Sequence, residues 1–454
     1  LIKYMKLMNK KINIFKFVKY FFINVFLLFN IFLLNGCSSD EKLDFKESVN
    51  VFEKQNTFPY VEESKKQNAE LNIPTNNLNI LNSKSYNLTN SVINFPLEKL
   101  WEIDTNQSLD NSTPLLSDPI SIFSKIYLIN SNGSLLKIDS ESGKILWDKE
   151  IFENLENSIL GAPAISGKYI SENDVTIFAH KANDELMSID GSSGEVNWKK
   201  KYKLPFRGGI TFFQDRLFLS DYEGNFFSID SSNGEIIWSV ALGTDYSSVY
   251  TSARPVFAKN KIIVPGTGGS FFVLSSKTGE VIWTENISSN SQSPKIFHLG
   301  DIVANPVYYE GIIYLVSQSG FTSAFDIETE EKLWTLPIGG LETPTLSGKT
   351  IFVNGLMGSL VAINRITGHV RWLKKFESRA NINSYFSDET MAIYKGPVLT
   401  DSKLLLSDHY GIVRILDADT GIELENLSIG KLALAPIPVN KKVFFLRADG
   451  KLLA

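Results

Sequence analysis

A short motif recurs along most of the chain and constrains the fold more than any other feature. In its clearest copy, an aliphatic residue and Asp139 open a polar turn that ends at Gly143, and a short strand then ends at Trp147. Asp can bond to its own following backbone at the start of such a turn, and Gly accepts a positive φ at its end. Related copies end at Trp198, Trp238, Trp283, Trp334 and Trp372.

The motif returns about every 40–50 residues, with short alternating strands between the copies, and this period is typical of a β-propeller. The last copy has Glu425 at the Trp position, whereas Trp101 lies in an isolated closing strand near the start of the repeats. Counting the turns predicts an all-β fold, an eight-bladed β-propeller of four-stranded antiparallel blades. Pairing of the N-terminal strand with the C-terminal blade would close the ring and remove exposed sheet edges. We expect each Trp to pack between adjacent blades, since a buried indole contributes a large apolar area.

The first residues have the pattern of a secretory signal, a lysine-rich segment followed by an apolar run from Phe21 to Leu34. That run is shorter than the roughly 20 residues of a spanning helix. The following Leu34-Asn35-Gly36-Cys37 resembles the bacterial lipobox, which implies that Cys37 is lipidated. The prediction is therefore a signal peptide over 1–36, a lipidated Cys37 with a flexible polar tether over 37–94, and the propeller over 95–454. A plain cleaved signal and an uncleaved anchor remain as alternatives.

Composition argues against several classes of function. The chain has a net charge of −5 although residues 1–36 contain six Lys and no acid, so the remainder is clearly acidic. An acidic chain without a basic stripe is a poor ligand for nucleic acid. A single Cys allows no internal disulfide and no thiolate metal cluster. The four His stand in different repeats without ligand-like spacing, so we expect turn and surface positions for them and no metal site.

The repeated motif resembles the tryptophan-docking motif of quinoprotein dehydrogenases, which are propellers that bind pyrroloquinoline quinone and calcium. Those enzymes usually carry adjacent cysteines near the cofactor, and the only Cys here lies in the signal region. The sequence also has no Gly-x-Ser-x-Gly nucleophile elbow. We therefore predict no catalytic residue and no cofactor, and we keep a quinoprotein dehydrogenase-like propeller as the alternative.

Two stretches resemble the BamB family, lipoprotein subunits of the machinery that folds β-barrel proteins into the outer membrane. One is 299–307, Leu-Gly-Asp-Ile-Val-Ala-Asn-Pro-Val, and the other runs from Ala435 to Leu452. The resemblance implies a non-enzymatic scaffold that is lipid-anchored at the periplasmic face of the outer membrane. Its partners would be the barrel-forming subunit BamA and, as a further hypothesis, unfolded outer-membrane proteins. An envelope lipoprotein that binds another partner or a polymer is a further alternative.

The family resemblance also implies which residues contact BamA. One family loop has Leu-x-Leu-Arg shortly before an Ala-Pro, and here Val249 and Tyr250 occupy its last two positions. Val249 keeps the apolar character, whereas Tyr250 stands in place of the Arg. The second family loop has Asp-x-Asp, of which Asp301 is kept. The predicted partner-binding residues are therefore Val249, Tyr250 and Asp301.

Overall fold

Eight four-stranded sheets, in which all neighbouring strands are antiparallel, form the described part of the chain. The structure is a computed structural model that describes residues 69–72, 91–105, 118–130, 132–152, 163–181, 184–243, 253–287, 301–356, 358–376 and 394–454. Cys37, Val249 and Tyr250 lie outside these ranges. The sheets are the blades of an eight-bladed β-propeller, as the repeats predict.

Each blade contains four strands in chain order, and blade 8 takes its outer strand from the beginning of the described chain. Blade 1 contains β2 (Ile120–Ile122), β3 (Lys125–Ile129), β4 (Ser134–Asp139) and β5 (Ile145–Glu150), and blade 2 contains β6 (Ala164–Ser171), β7 (Asp174–His180), β8 (Glu185–Asp190) and β9 (Val196–Lys201). Blade 3 contains β10 (Phe206–Phe213), β11 (Arg216–Asp221), β12 (Asn225–Asp230) and β13 (Ile236–Ala241). Blade 4 contains β14 (Val256–Ala258), β15 (Lys261–Pro265), β16 (Ser270–Ser275) and β17 (Val281–Asn286).

Blades 5 to 8 follow the same plan. Blade 5 contains β18 (Val307–Tyr309), β19 (Ile312–Val316), β20 (Thr322–Asp326) and β21 (Lys332–Leu336), and blade 6 contains β22 (Thr345–Ser347), β23 (Thr350–Gly355), β24 (Ser359–Asn364) and β25 (Val370–Lys375). Blade 7 contains β26 (Tyr394–Thr400), β27 (Lys403–Asp408), β28 (Ile412–Asp417) and β29 (Glu423–Ser428). Blade 8 contains β30 (Ile437–Val439), β31 (Lys442–Leu446) and β32 (Lys451–Leu453) with β1 (Glu102–Asp104).

The repeated motif forms the turn between the third and outer strands. In blade 1 the Asp139 carboxylate accepts the Ser142 backbone N–H at 2.9 Å, and Gly143 has a φ of 73°. In blade 5 Glu330 replaces the Gly and still adopts a φ of 62°. The turn geometry is therefore maintained where the sequence departs from Gly, because the flanking strand pairing imposes it.

Each motif Gly that the structure describes packs under the Trp of the preceding blade. A Cβ on Gly279 would lie 2.5 Å from the Trp238 ring, and a Cβ on Gly421 would lie 2.8 Å from the Trp372 ring. The ring therefore occupies space that any side chain at the turn would need. In blades 1 to 6 a register shift places an extra residue beside the motif Trp, such as Ile237 in blade 3. This bulge leaves Ile237 exposed and directs the indole towards the next blade.

The two ends of the chain meet in blade 8. Glu102 pairs with Leu453, and the Leu100 N–H donates to the Ala454 carbonyl at 2.8 Å. Trp101 then packs against Gly143 of blade 1. These contacts confirm closure through a shared blade. No turn joins β32 to β1, because the two strands are distant in sequence, so blade 8 offers no motif turn to blade 7.

The absent turn explains why blade 7 carries Glu425 where the other blades have Trp. Residues just before β1 fill the interface between blades 7 and 8 instead. Ile93 is 4% exposed and packs with Leu405 and Phe445, and Phe95 and Leu97 flank this cluster. We call residues 93–97 the strap. The strap replaces Trp docking at this interface, since both bury hydrophobic area between blades.

Two pieces of the predicted 37–94 tether lie on the propeller. Ala69–Asn72 contacts blades 6 and 7, and Ser91 forms a parallel bridge with Thr400 of blade 7. The prediction of a flexible tether does not describe Ala69–Asn72, because backbone groups of this piece bond to propeller residues. Polar composition alone does not reveal such contacts.

Candidate functional site on the loop face

The alternating strand directions give the propeller two distinct ends. The connections between blades and the turns between second and third strands lie at one end, which we call the loop face. The hairpins between first and second strands and the Asp-containing motif turns lie at the other end, the turn face. The connections 242–255 and 287–306 both begin and end on the loop face. Asp301 therefore lies on the same face as the two ends of the connection that contains Val249 and Tyr250.

Asp301 is buried and joins three blades. Its carboxylate lies 3.4 Å from the Arg207 guanidinium of blade 3 and accepts the Gly268 N–H of blade 4 at 2.9 Å. Its carbonyl accepts the Gln318 N–H of blade 5 at 3.1 Å. Only 2% of Asp301 is exposed, so its side chain faces the protein interior. Asp301 is thus placed to position the surrounding loops.

The charge on Arg207 is compensated mainly by Asp301. Burial lowers the pKa of Arg207, whereas the Asp301 carboxylate raises it by favouring the charged form. A buried ion pair of this kind contributes less to net stability than its attraction suggests, because both ions lose their hydration. Removal of one partner is costly, since the other charge is then left in the interior.

Arg254 ties the end of the 242–255 connection to the same network. Its N–H donates to the Asn305 side-chain oxygen at 2.7 Å, and its guanidinium donates to the Ile210 carbonyl at 2.5 Å. A Cβ on Gly209 would lie 1.9 Å from the Arg254 side chain, so glycine is required for this close approach. Asn305 also donates its N–H to Thr343, at 3.2 Å, which extends the network to blade 6. The described ends of the two connections are therefore tied to each other.

The space around Asp301 is too small for an organic ligand. The cavity bounded by Arg207, Asp221, Gly266 and Asp301 has a volume of about 30 Å³. Such a volume accommodates a water molecule, whereas small-molecule sites usually measure several hundred Å³. The cluster is therefore a packed support for loops. Its chemistry suits the presentation of a surface to a protein partner.

Three exposed apolar side chains on the loop face were not singled out from the sequence. Leu341 lies in the connection between blades 5 and 6, Leu356 in a turn of blade 6 and Tyr410 in a turn of blade 7, and each is more than 40% exposed. The Leu356 N–H donates to the Gly339 carbonyl at 2.9 Å, which brings its turn against the connection that contains Leu341. Their apolar character within otherwise polar turns is the sequence signal that could have identified these three residues. Tyr is enriched among the residues that contribute most to protein interfaces, which favours Tyr410 as a contact residue.

One histidine differs from the sequence expectation. His180, expected at a turn or on the surface, is fully buried at the end of β7. Its Nε2 lies 2.9 Å from the Gly208 carbonyl, and its ring contacts Phe206. Burial lowers its pKa to about 4, the bond to Gly208 opposes this shift, and the Arg254 charge adds to it. His180 is therefore neutral near pH 7 and acts as a core hydrogen-bond donor.

Within the described ranges, no group of three or more His, Cys, Asp and Glu side chains is arranged to hold a metal ion. The same parts of the chain contain no helix long and apolar enough to cross a membrane.

Comparisons with known proteins support the family resemblance. The family model for outer membrane protein assembly factor BamB matches residues 131–374, more than half of the chain. The outer membrane protein assembly factor BamB of Yersinia pestis is 20% identical over 333 residues, which cover 72% of this chain and 81% of that protein.

Solved structures with the same fold include the crystal structure of BamB from Moraxella catarrhalis. It is 19% identical, with a TM-score of 0.64, and the match covers 79% of this chain and 98% of that one. A europium-containing methanol dehydrogenase is 13% identical, with a TM-score of 0.59 and coverage of 83% and 89%. At such identities, these similarities establish the propeller fold alone.

Proposed function

The chain belongs to the family of outer membrane protein assembly factor BamB, and we propose that it serves as a scaffold lipoprotein in the assembly of β-barrel proteins at the outer membrane. Proteins of this family are assembly factors, and the protein is accordingly a non-enzymatic member. Its association with the outer membrane follows from the same family membership.

The family match over residues 131–374 carries this proposal. The matched region runs from blade 1 to blade 6 and includes both connections, 242–255 and 287–306, that are tied together by the buried network. The match thus extends beyond the repeated motif, which quinone-binding propellers share, to the loops through which the family resemblance implies partner binding.

We propose BamA as the partner and the loop face as the docking surface. The position of Asp301 supports this proposal, because its bonds connect the inner strand of blade 3 to turns of blades 4 and 5 on the loop face. Its burial favours a positioning role for the carboxylate, with contact made by Val249, Tyr250 and exposed groups such as Leu356. Anchoring the ends of the connections in this way would lower the entropy cost of binding.

The membrane anchor is proposed to be a lipid on Cys37 that holds the propeller at the periplasmic face. Acyl chains contribute about 0.8 kcal/mol per buried methylene, so several chains on one residue give a firm attachment.

Unfolded outer-membrane proteins are proposed to bind by strand addition. Among the described residues, the outer strand of every blade pairs on one side only, so its other edge can accept an extended segment through main-chain hydrogen bonds. Such pairing depends little on side chains and would suit many clients.

Co-purification of the tagged full chain from detergent-solubilised outer membranes tests the proposal. We expect BamA in the eluate of the wild-type chain and a reduced amount with Asp301→Asn. Asp215→Asn is the control, because Asp215 forms an exposed ion pair with Lys168 on the turn face. Recovery of no barrel-assembly subunit would contradict the scaffold function. Recovery of a different envelope protein alone would favour the alternative partner.

A further inference from the structure

A short segment ahead of the propeller is bound in a groove of the turn face. We call this segment, Ala69–Asn72, the docked segment. The Ala69 N–H donates to the Asp419 carboxylate of blade 7 at 2.7 Å, and the Ala69 carbonyl accepts the Thr350 hydroxyl of blade 6. Ala69 has no exposed surface. The two blades therefore hold both backbone polar groups of one small buried residue.

Further contacts of the docked segment are made with the first hairpin of blade 6. The Lys349 N–H donates to the Glu70 carbonyl at 3.1 Å, and the Lys349 ammonium lies 2.7 Å from the Glu70 carboxylate. The Asn72 N–H donates to the Ser347 hydroxyl at 3.0 Å. Leu71 adds apolar contact with the core between blades 6 and 7. Backbone, charge and apolar contacts thus coincide over four residues.

Glycine at position 348 makes room for the docked segment. A Cβ there would lie 1.8 Å from the Glu70 carbonyl oxygen, and Gly348 has a φ of 56°. All eight first hairpins lie within the described residues, and the seven other blades have a side chain at the corresponding position. These residues are Phe123, Glu172, Gln214, Lys259, Glu310, Asp401 and Asn440. Blade 6 alone provides the open space where the docked segment crosses.

Comparison with other blades shows which contact the docked segment replaces. Between blades 4 and 5, Lys259 of the hairpin lies 2.7 Å from Glu328 of the next motif turn. Between blades 8 and 1, Asn440 bonds directly to Glu141 of the next turn at 2.7 Å. Asp419 is the equivalent turn residue of blade 7, and it bonds to Ala69. The groove between blades 6 and 7 is therefore arranged around an inserted backbone.

We propose that this groove is a docking site for the chain's own residues 69–72, and that docking limits how far the propeller extends from the membrane. The inference rests on the lipid anchor proposed at Cys37. With the segment docked, about 30 residues separate the anchor from the propeller, and they span at most about 100 Å. Without docking, the next contact among the described residues is at Ser91, and the roughly 50 residues from the anchor to Ser91 span at most about 170 Å.

Amide hydrogen exchange of the full chain tests the docking. We expect slow exchange at the N–H groups of Ala69, Asn72 and Lys349, and at least tenfold faster exchange in Gly348→Ala. Gly311→Ala is the matched control, because Gly311 lies in the same hairpin of blade 5 with a φ of 85° and no atom near its Cβ position. Equal exchange in Gly348→Ala and the wild type, or fast exchange in both, would overturn the docking.

A second variant avoids any change to the propeller. Ala69→Asp places a carboxylate beside Asp419 within the docked segment, so it should release the segment while the propeller remains folded. Unchanged protection in this variant would contradict the proposed site. Protection that depends on protein concentration together with a dimeric mass would show docking onto a second copy, and would overturn docking within one chain.

Energy transfer on lipid vesicles tests the effect on reach. A donor dye is attached to Lys277→Cys, at the turn face, and the vesicles contain acceptor lipids. The double variant Lys277→Cys with Gly348→Ala should give less energy transfer than Lys277→Cys alone. If the amides of the docked segment exchange fast in Gly348→Ala but energy transfer is equal with and without this substitution, the proposal that docking limits the reach is overturned. The mass of the N-terminal peptide separates the two proposals, because an unmodified Cys37 with protected amides refutes the anchor and leaves the docking intact.

Discussion

The Asp301 carboxylate lies 3.4 Å from the Arg207 guanidinium, and both side chains are almost completely buried between the blades of the loop face. The pair joins a connection that follows blade 4 to the inner strand of blade 3. The ion pair is one part of the buried network that also includes the bonds of Asp301 to Gly268 and Gln318.

Loss of one member of this pair should be strongly destabilising. We expect Asp301→Ala to lower the free energy of unfolding by about 3–5 kcal/mol, because the buried Arg207 charge then loses the Asp301 carboxylate. The double variant Arg207→Met with Asp301→Leu should recover most of this loss. Urea unfolding measures both changes. A single variant as stable as the wild type would show that Asp301 does not support the loops.

The docking tryptophans should contribute unequally to stability. Trp372 is 8% exposed and its indole N–H donates to the Ala418 carbonyl at 3.1 Å, whereas Trp238 is half-buried and its N–H has no partner among the described residues. We expect Trp372→Ala to cost about 3–5 kcal/mol and Trp238→Ala to cost less. Ile237→Ala, at an exposed bulge, should change stability by at most about 0.5 kcal/mol. Equal stability of all three variants would contradict a packing role.

The strap before β1 should stabilise the interface that lacks a docking Trp. We expect Ile93→Ala to lower the free energy of unfolding by about 2–4 kcal/mol, because Ile93 is buried between blades 7 and 8. Asn94→Ala is the control, since Asn94 is exposed. Denaturant midpoints of the full-length variants measure the difference. Similar midpoints for both variants would assign ring closure to the β1–β32 pairing alone.

His180 should make the fold sensitive to mild acid. Its pKa is about 4 in the fold and about 6.5 when unfolded. Between these values the unfolded chain binds a proton that the folded chain does not, so stability falls as the pH is lowered from 6.5 to 4. The loss should approach about 3 kcal/mol. His180→Asn should reduce this loss, whereas His369→Asn, at an exposed turn, should preserve it.

The repeated motif contains most of the information about the fold. Asp and Gly at fixed offsets before Trp predict the turn, the outer strand and the number of blades, because each motif is a local unit. Trp101 without its own blade predicts the closure. The Glu425 exception follows from this closure, since blade 8 has no motif turn against which a Trp could pack.

The candidate sites depend on contacts between distant residues and are less accessible to sequence reasoning. The sequence around Ala69 resembles the other polar segments ahead of the propeller. Its partners Thr350 and Asp419 bond to the Ala69 backbone, so the contact leaves no mark on residue type. Asp301 was identified through a family resemblance, but its burial depends on the distant Arg207. His180 was misplaced because one isolated His carries no periodic signal.

Site-specific cross-linking from the two faces of blade 6 tests the central claim most directly. Leu356 on the loop face is 42% exposed and Ile366 on the turn face is 48% exposed, so the two positions differ mainly in the face they occupy. With a photoreactive residue at either position of the full chain in cells, we predict cross-links to BamA from position 356 and from position 250, and none from position 366. Cross-links to BamA from position 366 alone would contradict the loop face as the partner surface.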